Sequence, residues 1–120
     1  PLNKMNKNLK ISKKLKLIVA SDNDSYLFCK TKHIIAITSE KEYIRIFNPK
    51  RSCLLTGSLC SIIDELPNYF IKPHKSYIIN MKRIKKIRPL TRKKYLLTME
   101  NGMEIPLTKT TFQEIIEYFK

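Results

Sequence analysis

The 120-residue sequence predicts a mainly β domain, with about ten short strands in small stacked antiparallel sheets and two short amphipathic helices. Three observations carry that reading. Short segments rich in Ile, Leu, Tyr and Phe alternate with polar corners at close spacing, the pattern of a meander. The apolar period lengthens to 3.6 in only two places, at Leu59, Ile62, Ile63, Leu66 and at Phe112, Ile115, Ile116, Phe119. Gly57 and Gly102 are the only glycines, so turns must rest on Asn, Pro and Ser, and no glycine-rich phosphate loop exists.

Taken in order, residues 1–15 read as a lysine-rich arm or linker without a period, and residues 16–120 as the folded domain. Leu15, Leu17 and Val19 alternate, which starts a strand near Lys16; Asn23 and Asp24 turn the chain, and Tyr26–Lys30 returns. Thr31–His33 forms one helical turn before the apolar run Ile34–Ser39. Tyr43–Phe47 alternates, Asn48-Pro49 punctuates it, and Cys53–Thr56 is its partner. Ser58 then caps a helix that Pro67 ends. Further strands are predicted at Phe70–Lys72, Tyr77–Ile79, Ile84–Arg88 and Tyr95–Met99. Asn101-Gly102 predicts a type I′ hairpin leading to Met103–Leu107. The last helix starts near Lys109, capped by Thr108 or by Thr110 with Gln113 in capping-box register.

An apolar fraction of 42% suffices for one packed core. Lys and Arg number 24 against 10 Asp and Glu, a formal charge of +14 that points to nucleic acid or an anionic surface. No apolar run reaches the ~18 residues of a spanning helix, and no signal peptide is evident, so the expectation is a cytoplasmic protein without stable membrane insertion. Pro1 leaves open that more chain precedes it. Cys29, Cys53 and Cys60 lack a C-x-x-C pair and are expected as buried small hydrophobes; with only His33 and His74 beside them, neither a metal site nor any cofactor is predicted. No catalytic motif is found, and Asp64, Glu65, Glu114 and Glu117 fit solvated helix faces, so the chain is not expected to be an enzyme.

The charge is concentrated. Between Lys72 and Lys94 stand ten Lys and Arg and no acid, self-repelling unless a polyanion is bound. Lys109 falls in the first turn of a helix, where its cation opposes the dipole at a cost of about 0.3–1 kcal/mol that a phosphate would offset. Lys75 sits in a corner between strands, beside His74, which is expected to serve the structure of that corner. Tyr43 follows a polar turn and fits either core packing or an exposed hydroxyl.

The segment FIKPHKSYIINMKRIKKI resembles the signature of LytTR DNA-binding domains, approximately F-x-R-x-H-R-S-Y-x-V-N-x-x-x-I-x-x-I. The resemblance extends through LCSIIDELP, YLLTMENGMEIPL and TKTTFQEIIEYF, and covers residues 16–120. It implies a transcription-factor domain of stacked β sheets, commonly found behind a receiver domain in two-component response regulators. Such domains bind paired direct repeats in promoter DNA, as monomers that pair there, through loops instead of a recognition helix. Carried over by motif position, the base-contacting residues are Tyr43, Lys75 and Lys109; Lys41, Lys72, His74, Lys82, Arg83, Lys85, Lys86 and Thr108 are expected to contact phosphates instead. The family usually has Arg or Asn in the corner and Arg at the last helix; lysine lacks the planar fork that reads guanine bidentately. Two other readings remain. One is an RNA- or ribosome-associated basic module, disfavoured because most aromatics fall at predicted core positions. The other is an anionic membrane surface contacted by residues 1–16.

Overall fold

The computed structural model describes residues 15–22 and 24–120, so residues 1–14 of the predicted basic arm and Asn23 lie outside the described residues. The fold has three layers. The first is a hairpin of β1 (Leu17–Asp22) and β2 (Ser25–Lys30). A 3-10 turn, Thr31–His33, leads to the central sheet of β3 (Ala36–Glu40), β4 (Tyr43–Phe47), β5 (Ser52–Thr56), β6 (Phe70–His74) and β7 (Tyr77–Asn80), in the order β5-β4-β3-β7-β6. Helix α1 (Leu59–Ile63) lies between β5 and β6. A second 3-10 turn, Met81–Arg83, feeds the third layer, β8 (Ile84–Pro89), β9 (Lys94–Met99) and β10 (Glu104–Thr108), and α2 (Lys109–Tyr118) closes the chain. All strand pairs are antiparallel, and the body measures 47 × 34 × 24 Å.

The central sheet is buried on both faces, which accounts for its isoleucine-rich strands. Ile37, Ile44, Ile46 and Ile78 face the hairpin and α1 in one core; Ala36 and Ile79 face Leu97, Met99, Ile105, Leu107 and Ile115 in the other. Each isoleucine so buried contributes on the order of 1.5–3 kcal/mol.

Several expectations are corrected. Leu17 and Val19 point outward, and Ile18 and Ala20 are buried. The strand is apolar on both faces, so alternation alone did not fix its phase. Helix α1 ends at Ile63, although Leu66 is still buried beyond it. Thr108, not Thr110, caps α2, its hydroxyl accepting from the Thr111 N–H at 3.2 Å. The β9–β10 turn is not type I′: Gly102 alone of the pair has positive φ, while the Asn101 side chain accepts from the Met103 N–H. Cys60 is exposed, because it falls between the inward residues Leu59 and Ile62. Finally, Phe70 is the only buried aromatic among the described residues; Tyr26 and Phe28 on the outer face of the hairpin layer, Tyr43 at one end of the central sheet and Phe119 at the end of α2 are exposed.

Candidate nucleic-acid interface

Two hairpin corners meet at one end of the central sheet. Strand β3 pairs with β4 on one side and β7 on the other, so its C-terminal end brings the β3–β4 turn beside the β6–β7 turn. The Ser39 N–H donates to the Ser76 carbonyl at 3.2 Å and locks them together. Tyr43 and Lys41 stand on the first turn, Lys75 and His74 on the second, and all four are exposed. Lys72 lies just behind, with its Nζ 3.3 Å from the Cys60 sulfur on α1.

Local chemistry explains both corners. Lys41 has φ of 58°, the left-handed region, and is the only such non-glycine residue among those described. This conformation costs about 1 kcal/mol for an L side chain and turns β3 into β4 in two residues. Glu40, at the base of that turn, is held by Arg45, whose guanidinium Nη2 also reaches the carboxylate at 3.3 Å. The same hydrogen bond pushes the arginine further up from an already high pKa. One of the few acids at this end is thereby neutralised. In the second corner the His74 Nδ1 accepts from the Ser76 N–H at 3.2 Å and its ring leans on Tyr77 at 5.6 Å, which leaves Lys75 at the apex. Pro73 needs no partner for its missing donor, because β6 is an edge strand.

Lys109 belongs to the third layer. Its N–H donates to the Lys93 carbonyl at 3.0 Å, and Phe112 stacks on Tyr95 with centroids 4.1 Å apart, docking the start of α2 on β9. No acid occupies the first turn of α2, and Thr108 is committed to its cap. Strand pairing sets Lys94 opposite Thr108, so Arg92, Lys93 and Lys94 flank Lys109, all exposed. These three were counted in the basic run but not singled out. The Asn-Gly hairpin held part of the signal: a two-residue turn there would pair residue 94 with residue 109, one position off the observed pairing of 94 with 108.

Four other predicted contacts are not brought to these corners. Arg83 donates through Nε and Nη2 to the Lys32 carbonyl, at 3.2 and 3.0 Å, and pairs with Glu100 at 3.2 Å. Lys82 lies over the Tyr69 ring at 4.6 Å. Lys85 and Lys86 follow on the exposed edge of β8. This seam joins the Thr31–His33 turn, the Met81–Arg83 turn and the β9–β10 turn. Tyr43, Lys75 and Lys109 each lie at the strand ends of their sheet remote from Arg83. Among the described residues, no cluster of His, Cys, Asp or Glu could hold a metal ion, and no helix is long and apolar enough to cross a membrane.

In this stack of β sheets the exposed cations described above stand on corners and at a helix start, not along a helix face, which gives it the charge of a polyanion-binding module. The LytTr DNA-binding domain family matches residues 24–120, and the chain belongs to it. The family is one of DNA-binding domains and not of enzymes. The chain is 29% identical over 99 residues to the sensory transduction protein LytT of Bacillus subtilis, and 31% identical over 85 residues to that of Enterococcus faecalis. Those alignments take in 82% and 70% of this chain but only 41% and 35% of the relatives' length. In fold it matches the LytTr DNA-binding domain of a methyl-accepting/DNA response regulator from Bacillus cereus, with TM-score 0.76 and 22% identity over 85% of this chain and 97% of that one.

Proposed function

We propose that this domain binds duplex DNA sequence-specifically, as the cytoplasmic output domain of a transcriptional regulator with a receiver domain upstream. Tyr43, Lys75 and Lys109 touch base edges. Lys41, Lys72, His74 and the Thr108 region hold phosphates on either side, and Arg92 and Lys93 add phosphate contacts beside Lys109. Two domains occupy paired direct repeats in a promoter. The observation that carries this reading is the grouping of exposed cations on short rigid corners, while Arg83 is consumed by Lys32 and Glu100. Phosphate contacts set register, and groove contacts discriminate.

Selection of bound duplexes from a random pool, followed by affinity measurement on the selected and a scrambled duplex, tests it. Lys109→Ala and Lys75→Ala should each reduce the discrimination between the two by about 1–3 kcal/mol. An unchanged ratio for Lys109→Ala removes that residue from the base-reading set.

Single-stranded nucleic acid is a second reading, favoured by one observation. Tyr26 and Phe28 project from the same face of β2 and are 72% and 66% exposed, beside a cleft that includes Lys30, Lys50 and Arg51. Aromatic rings so spaced are what successive bases stack on. Competition between the selected duplex and single-stranded RNA at fixed salt separates the two readings.

A further inference from the structure

The first core holds a pair of side chains that DNA binding does not use. Cys29 of β2 and Cys53 of β5 meet between the hairpin layer and the central sheet, with sulfurs 3.8 Å apart and side chains 3% and 6% exposed. Cys29 also forms part of the wall of an open cleft of about 590 Å³, together with Phe28, Lys30, His33, Lys50 and Arg51. The Asn48 Nδ2 donates to the Cys29 sulfur at 3.5 Å. Cys60, the third cysteine, stands exposed on α1 with Lys72 beside it.

We propose that Cys29 and Cys53 form an oxidation site: a peroxide entering the cleft converts them to a disulfide that staples the outer hairpin to the central sheet. The Cys29 thiolate attacks one peroxide oxygen, the O–O bond breaks, and hydroxide leaves and is protonated to water, giving a sulfenic acid. The Cys53 sulfur then attacks the Cys29 sulfur; the S–S bond forms as the hydroxyl departs with the Cys53 proton as a second water. Two electrons pass from sulfur to peroxide, so two thiols and one hydrogen peroxide become one disulfide and two waters. The sulfurs need to approach by about 1.8 Å to reach bonding distance. The bond closes a loop across 24 positions, which restricts the unfolded chain. Because Cys53 pairs with Ile46, toward the end of β4 away from Tyr43, the reading corners are left unaltered.

The test uses the Cys60→Ser chain, treated with hydrogen peroxide, blocked with an alkylating agent and digested without reductant. The expected product is a peptide pair joining Cys29 to Cys53, two hydrogens lighter than the separate peptides and parted by dithiothreitol. The thermal midpoint should rise by several degrees on oxidation and fall back on reduction. In Cys53→Ser, dimedone should label Cys29 as its sulfenic acid. If peroxide that oxidises Cys60 in the parent chain yields no such pair, the site is refuted. A pair formed with no change in thermal midpoint overturns the staple, and dimedone labelling of Cys53 in Cys29→Ser without labelling of Cys29 in Cys53→Ser overturns the order of attack.

Discussion

At the end of the central sheet that carries Tyr43 and Lys75, cations stand exposed on two-residue turns, one of them strained at Lys41. At the opposite end Arg83 is spent on Lys32 and Glu100, and Asn80 is fully buried, its amide donating to the Ile34 carbonyl and accepting from the Lys82 N–H, each at 2.9 Å. The two ends lie within one basic run of the sequence yet have different physical roles. Charge near a polyanion works when it is presented without a protein partner; charge that satisfies a carbonyl and a carboxylate holds layers together.

Breaking the seam should therefore cost stability and leave reading intact. Asn80→Ala removes a buried donor and acceptor and should destabilise the fold by about 2–4 kcal/mol in urea titration, without changing the specificity ratio of the folded fraction. The reading end should behave conversely: Tyr43→Ala, like the two lysine variants, should lower duplex discrimination by about 1–3 kcal/mol while shifting the thermal midpoint little. Arg83→Ala sharpens the contrast, because this residue was also predicted to hold phosphate. With its ion pair about a quarter to a half exposed, it should lose roughly 1 kcal/mol of stability, and the slope of affinity against salt should not change. Lys93→Ala, beside Lys109, should weaken selected and scrambled duplexes alike and reduce the salt slope by about one. The smallest effect on stability is expected for Lys41→Gly, which relieves the left-handed φ and should stabilise the domain by about 0.5 kcal/mol, offset in part by glycine's greater unfolded-state freedom, while the loss of its cation weakens all duplexes alike.

Strand and helix positions were legible because period and punctuation agree in this chain: Ser58 caps α1, Asn48-Pro49 breaks β4 from β5, and the Asn-Gly pair bends β9 into β10; the pairing of β3 with β7 was not. The placement of Lys75 in a corner and of Lys109 at a helix start was legible for the same reason, since each sits at an element end that the pattern marks. What was not legible depends on contacts between layers. Nothing local distinguishes Arg83 from Arg88; the first meets the Lys32 carbonyl 51 positions away. Nothing local says that Leu17 and Val19 face outward, because Ile18 and Ala20 are equally fit to be buried. The contact of Cys29 with Cys53 likewise arises only when the hairpin layer folds onto β5. The left-handed turn at Lys41 was missed because lysine carries no propensity for it.

The division between a reading end and a structural end is tested most directly by following backbone amide resonances while the selected duplex is added. Shifts should concentrate at Lys41–Tyr43, at His74–Ser76 and around Lys93 and Lys109, with the amides of Lys32, Asn80 and Arg83 nearly still. Shifts centred on Lys32, Asn48 and Arg83, with the corners unmoved, would contradict it.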